Sequence, residues 1–397
     1  MESKILHEFE YITRDGKEAY LALFNDSLKL HISPEVYVYD LEGRPVFIYY
    51  NNVLYERGLS NEFVAKKWTS FTPPKRYLAR VKDIGLKKRV VEYAHMRIKE
   101  VLSLSPPSEF TPILRKILYM NFDRLDEEGR RFYQIYKPIS ILPPDQYLAL
   151  VLQPVEGCPY NKCSFCTFYR DRKFRFKTID EFRKHVKYVI NFVGKGILMR
   201  RKIFLADANA LVTPMNMLKK YISIIYEYIP NIYISGLYSF MDYFTVRKDL
   251  DDFKWLRGMG LKMVYIGLET GDESLLKILN KPGPPEKAVE AVNLLKKAGI
   301  DVGVIVLIGA GGKKYFDRHV DNTIKILNEM YLDDRDIIYF SKLKVSESSE
   351  YYKISSKYGL GYLSDDEMED QIRRIKDGLR HSRKPIQAIY DIDEFIY

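Results

Sequence analysis

The chain has 397 residues, 46% of them hydrophobic and 29% charged, with a formal net charge of +10. That length exceeds one small core and calls for a large domain with additions, or for several domains. No apolar run is long enough to cross a bilayer and the opening MESKILHEFE has no signal-peptide pattern, so no membrane span and a cytoplasmic location are expected.

Short apolar runs rich in tyrosine, separated by the turn signals RDG, LEGRP and YNN, predict an antiparallel β-meander over residues 1–70. Residues 71–145 read as a helical connector, with helical stretches at 89–104 and 110–121 and a break at SPP. From 146 to 345 strand-like and helix-like segments alternate. The strands are expected at 147–154, 202–207, 232–237, 262–268, 302–309 and 336–343. The helix after the first strand carries a capping-box pattern, Thr178 with Glu181 three residues on. Near-continuous apolar strands alternating with amphipathic helices imply a parallel sheet covered by helices, and six such units suit a barrel or partial barrel. Ligands of that architecture sit at the C-terminal ends of the strands. Residues 346–397 form a short C-terminal extension.

All three cysteines, Cys158, Cys163 and Cys166, fall on the loop after the first of these strands, spaced C-x4-C-x2-C. In a reducing compartment clustered thiols are not structural disulfides, and an odd number could not pair fully. Three thiolates on a short loop can hold three corners of a cubane iron–sulfur cluster and leave the fourth iron open. A zinc site would need a fourth ligand such as His185, and three unrelated buried cysteines is the remaining alternative. The clustering, with no cysteine elsewhere, favours the iron–sulfur cluster.

This loop, with Phe165 just before the third cysteine, resembles that of the radical S-adenosylmethionine (SAM) superfamily, over about residues 147–345. The resemblance implies an α/β fold, a (β/α)6 partial TIM barrel, and one [4Fe–4S] cluster per chain on Cys158, Cys163 and Cys166. The open iron would bind the methionine end of SAM. One electron from a low-potential donor, a ferredoxin or flavodoxin, would then cleave the sulfonium to a 5′-deoxyadenosyl radical that takes hydrogen from a substrate. The usual loop has three residues between the first two cysteines, whereas this one has four, PYNK. Further contacts are implied at the other strand ends. Asp207, Ala208 and Asn209 in LADANAL would meet the methionine amine, and Ser239 in GLYSF the ribose. Glu269 in YIGLETGDESLLKILNK would face the methionine or ribose, and Lys281 the carboxylate. Ile305 and Gly309 in GIDVGVIVLIGAGG would pack on the adenine beside Phe165.

Absences narrow the subclass. Three cysteines cannot ligate a second cluster, and no Asp-x-His-x-x-Gly pattern marks a cobalamin domain. The resemblance is closest to the branch with oxygen-independent coproporphyrinogen oxidase and the cobalamin-free relatives of the methylthiotransferases. The substrate is open, a small molecule being favoured over RNA. The competing reading is a metal-stabilised RNA-binding protein without radical chemistry, for which RDRKFRFK (170–177) interleaves five cations with two phenylalanines. The same stretch also reads as a charged connector into the helix capped by Thr178.

Overall fold

Alternation between tight turns builds an antiparallel sheet in the computed structural model, which describes residues 3–71, 74–347 and 349–397. Positions 1–2, 72–73 and 348 of the expected regions lie outside the described residues. The strands β1 (Ile5–Ile12), β2 (Glu18–Phe24), β3 (Ser27–Ile32), β4 (Glu35–Asp40), β5 (Pro45–Tyr50), β6 (Val53–Arg57), β7 (Phe63–Phe71) and β8 (Pro74–Arg80) each pair with the next. The meander therefore runs to Arg80, into the stretch expected to be helical. Its inward positions, including Leu21, Leu28, Tyr37 and Ile48, pack against α1 (Ile84–Ser103). That helix offers Val90, Ala94, Ile98 and Val101, an apolar stripe at helical spacing. Next come α2 (Thr111–Tyr119) and α3 (Phe122–Ile135).

The remaining elements wind a parallel sheet. In chain order they are β9 (Leu150–Leu152), the small hairpin β10 (Val155–Glu156) and β11 (Arg175–Phe176), α4 (Ile179–Val193), β12 (Lys202–Leu205), α5 (Met215–Tyr228), β13 (Gly236–Met241) and α6 (Leu250–Gly258). Then follow β14 (Leu261–Glu269), α7 (Glu273–Ile278), α8 (Glu286–Lys297), β15 (Asp301–Ile308), α9 (Phe316–Glu329), β16 (Ile337–Lys342), α10 (Glu350–Tyr358), α11 (Asp365–Gly378) and β17 (Ile386–Ile389). The sheet order is β9-β12-β13-β14-β15-β16-β17, with every pairing parallel. The result is an α/β partial barrel with a β-rich N-terminal sheet.

Local chemistry sets the boundaries. The capping box of α4 is present in both halves: Thr178 accepts from the Glu181 amide, and Glu181 from the Thr178 amide. The third barrel strand begins at Gly236, four residues later than the sequence suggested, because Asn231–Tyr233 forms a 3-10 turn. A seventh strand, β17, comes from the tail. Beyond it, Tyr397 packs under β9, its hydroxyl donating to the Ala149 carbonyl (3.1 Å) and accepting from the Val151 amide (2.8 Å). Arg44 ties the meander to the barrel: it forks onto Glu128 (2.7 and 2.8 Å) and donates to the last carbonyls of α4, Phe192 and Val193. Among the described residues no helix is long and apolar enough to cross a membrane.

Candidate functional site

The first barrel strand releases the chain into the cysteine loop, and β10 and β11 clamp its two ends. Glu156 and Arg175 face each other across that hairpin and form a forked ion pair at 2.9 and 3.0 Å, with Lys177 adding a third contact at 3.2 Å. Gly157 turns the chain with φ +79, and a side chain there would meet the Lys173 backbone at 3.2 Å. Its amide donates to Asp207 at 2.9 Å.

The fourth residue between Cys158 and Cys163 has a visible accommodation. Asn161 sits in the left-handed region (φ 49), a conformation asparagine tolerates better than most residues. Its amide turns back onto the Cys158 sulfur (3.3 Å), and its side chain donates to the Tyr169 carbonyl (2.8 Å). The carbonyl of Lys162 accepts from Asn280 (2.8 Å), and Ser164 donates to the Leu279 carbonyl (2.9 Å). Arg170 holds the other side by donating to the Cys163 carbonyl (2.9 Å). The extra residue is thus absorbed in a turn.

Cys158, Cys163 and Cys166 are free thiols lining one cavity at the barrel mouth. Burial raises the pKa of all three, Cys163 to about 12 and Cys166 to about 11, so without a metal they are protonated at neutral pH. Among the described residues no three His, Cys, Asp or Glu side chains converge as a ready-made ligand group for one ion. His185, the candidate fourth zinc ligand, lies away from this cavity. It is buried in α4, its Nε2 accepts from the Gln153 amide (3.1 Å), and burial pushes its pKa down to about 3.

The opposite wall comes from the other strand ends. Ala208 and Asn209 follow β12, and Ile305 projects from β15. Asn209 donates to Asp242 (2.8 Å) and Thr245 (3.2 Å), while its own Oδ1 is buried without a protein partner. Glu269 ends β14 at a break in the register with β15, in the left-handed region (φ 64), which a glutamate rarely adopts. That conformation turns its carboxylate to Lys281, whose Nζ donates to Oε1 at 2.7 Å. Both side chains are about nine-tenths buried. Burial alone would lower the Lys281 pKa, but the Glu269 charge outweighs it and holds the ammonium above its ordinary value. Gly267 makes room for the pair, since a Cβ there would stand 2.2 Å from Glu269 Oε1 and 3.0 Å from Lys281 Nζ.

The cavity therefore gathers Cys158, Cys163, Phe165, Cys166, Ala208, Asn209, Glu269, Lys281 and Ile305. It does not gather Asp207, Ser239 or Gly309, and each departure has a physical reason. Asp207 is 2% exposed and spent inside, accepting from the Gly157 amide and from Gln153 (2.8 Å), with Arg172 at 3.6 Å. Ser239 is fully buried within β13 and donates to the Leu205 carbonyl (2.9 Å). Gly309 turns away in the left-handed region (φ 87), its amide donating to Gln371 (2.9 Å).

Residues beyond the expected set also line the mouth, notably Tyr160, Asp242, Tyr265, Lys342, Lys344 and Tyr390. Lys342 and Lys344 lie at and just past the end of β16, where the strand-end rule alone could have pointed. Tyr390 follows β17 and carried no such signal. The basic stretch 170–177 is largely committed to structure: Arg172 donates to the Pro138 carbonyl, Arg175 pairs with Glu156 and Glu181, and Lys177 donates to the Gln153 carbonyl.

Residues 152–327 match the family model described as the radical SAM superfamily. The chain is 27% identical over 99 residues to the uncharacterized protein MJ1620 of Methanocaldococcus jannaschii, covering 24% of this chain and 19% of that one. It is 26% identical over 180 residues to the anaerobic magnesium-protoporphyrin IX monomethyl ester cyclase of Cereibacter sphaeroides, covering 44% and 26%. The matches thus span about a fifth to a quarter of the length of these curated relatives. Among solved structures, coproporphyrinogen III oxidase from Escherichia coli aligns at 13% identity over 57% of this chain and 50% of that one, with a TM-score of 0.43. Residues 152–327, which hold the cysteine loop and the Glu269–Lys281 pair, are thus similar to the radical SAM superfamily.

Proposed function

We propose that the protein is a radical SAM enzyme in which Cys158, Cys163 and Cys166 hold one [4Fe–4S] cluster. The observation that carries this reading is that the three thiols share one cavity with the buried Glu269–Lys281 pair. When bound, the cluster would supply the electron that cleaves SAM reductively and starts hydrogen abstraction. The chain's residues bind and orient. Lys281 uses one ammonium hydrogen on Glu269 and has two left for the carboxylate of SAM. The unpartnered Oδ1 of Asn209 suits the methionine amine or a ribose hydroxyl. Phe165 and Ile305 offer apolar surface for the adenine, and Ala208 lets the ligand come close to the backbone.

A wall of Ile141, Phe168, Leu343, Tyr390 and Ile392 completes the cavity, which favours a small, largely apolar substrate over a nucleic acid. A ferredoxin or flavodoxin supplies the electron, and three unpaired thiols fit the reducing cytoplasm.

The test needs no substrate. Protein reconstituted anaerobically, reduced and given SAM should release 5′-deoxyadenosine and methionine, and Cys163→Ala should release neither. Tight SAM binding by a reduced, cluster-loaded protein that never cleaves it would contradict the proposal.

A further inference from the structure

A second cavity, of about 310 Å³, opens at the N-terminal end of the barrel strands, where the meander and the tail meet it. Two arginines line it, Arg57 from the end of β6 and Arg200 from the turn before β12. Both are more than nine-tenths buried, with 6% and 8% of their surface exposed. Buried guanidinium groups in proteins are ordinarily matched by carboxylates, because an uncompensated buried charge is costly.

This chain follows that rule a short distance away. Arg44, equally buried, has Asp40 and Glu128 within hydrogen-bond reach. Among the described residues Arg57 and Arg200 make no direct ion pair of this kind. Among the described residues the only side-chain hydrogen bond from the Arg57 guanidinium goes from Nε to the neutral Asn61 (2.8 Å), and its buried Nη2 has no partner. The Arg200 guanidinium lies over the Tyr397 ring at 5.5 Å and has no carboxylate within 4 Å among the described residues. The cavity's own acids are engaged elsewhere. Glu56 and Glu394 hold Lys66 at 2.6 and 2.8 Å, and Asp145 accepts from Tyr265 and Tyr339 at 2.6 and 2.7 Å. Burial lowers the Arg57 pKa to about 10, with the more distant Glu128 and Asp40 charges drawing it up and the Arg44 and Arg200 charges pushing it down. Arg57 and Arg200 thus line one cavity with no carboxylate within 4 Å of either guanidinium among the described residues.

We propose that this cavity is a binding site for an oxyanion, a carboxylate or phosphate group, held between the Arg57 and Arg200 guanidinium groups. The chemistry is that of the planar donor fork, which fits two oxygens of either group at once. A ligand seated there would also bring the meander, the tail and the barrel onto one anchor.

Thermal unfolding of the full chain at matched ionic strength tests the site, with sodium phosphate and sodium succinate as probes and sodium chloride as the reference. Phosphate or succinate should raise the midpoint saturably above chloride, and the stronger response identifies which source of the group the cavity prefers. Arg200→Gln should weaken that response about tenfold or more, the loss of one charge-assisted contact. Arg57→Met, which removes the unpaired charge, should abolish the response without lowering the unliganded midpoint. Equal midpoints in all three salts, or a full response in Arg200→Gln, would overturn the proposal. If Arg200→Gln does not fold, Arg200→Lys and the 31P line width of phosphate with the wild-type protein decide the matter. Broadening reversed by succinate supports the site. The absence of both the broadening and the succinate shift would refute it.

Discussion

Lys281→Ala should destabilise the protein by about 3–5 kcal/mol, the usual cost of removing one partner from a buried ion pair. The cost comes from Glu269, a largely buried carboxylate in a left-handed conformation that has no other ion-pair partner among the described residues. From the sequence alone Lys281 reads as a ligand contact. The structure gives it a second duty, because its charge compensates Glu269 before any ligand arrives. SAM affinity should fall as well, by about 1–3 kcal/mol, as a charge-assisted contact is lost. Urea unfolding read together with calorimetry separates the two effects. The Glu269→Ala/Lys281→Ala double variant should be less destabilised than the sum of the single variants, since neither charge is stranded. Single variants within about 0.5 kcal/mol of wild type, the range of ordinary surface changes, would show that the pair is not coupled as described.

Asp207→Ala should be of similar size, about 3–5 kcal/mol, and should also disturb the cysteine loop. Burial raises the pKa of this carboxyl group, while Arg172, the Gly157 amide and Gln153 draw it back down. Its removal leaves the Gly157 amide without an acceptor directly beside Cys158, and leaves the Arg172 guanidinium without its buried counter-charge. Reconstituted iron per chain should therefore drop along with stability. Asp207→Asn is the informative partner: its side-chain oxygen can still accept from Gly157, so more of the loop's order should survive than in the alanine variant. Unchanged iron loading in Asp207→Ala would mean that the loop is held by its other contacts alone.

The parallel strands were legible because they are buried on both faces and read as unbroken apolar runs. The third strand was displaced by the apolar residues Ile232 and Tyr233, which mimic its start but stand 63% and 41% exposed in a 3-10 turn. The seventh strand was not legible at all. Ile386–Ile389 is a short edge strand with Ile386 and Ile389 exposed, and only its pairing with β16 makes it a strand.

The same division runs through the site. A cysteine loop and a Glu–Lys segment carry their chemistry in residue type and order, so their place at the mouth could be expected. Which way one residue of a turn points cannot be read from composition. Asp207, next to two cavity residues, faces inward to the loop's amide, and Ser239 spends its hydroxyl within the sheet. Gly309 could be read as a flexible position but not as a partner of Gln371, 62 residues further on.

The three thiols as ligands of one cluster are the claim on which the rest depends, and metal analysis addresses it most directly. After anaerobic reconstitution and desalting, the wild-type protein should carry about four irons and four sulfides per chain. It should show a reduced-cluster resonance that shifts when SAM is added. Cys158→Ala, Cys163→Ala and Cys166→Ala should each lose that cluster while keeping the fold. Stoichiometric zinc with no iron, or full iron loading in any of the three variants, would contradict the account.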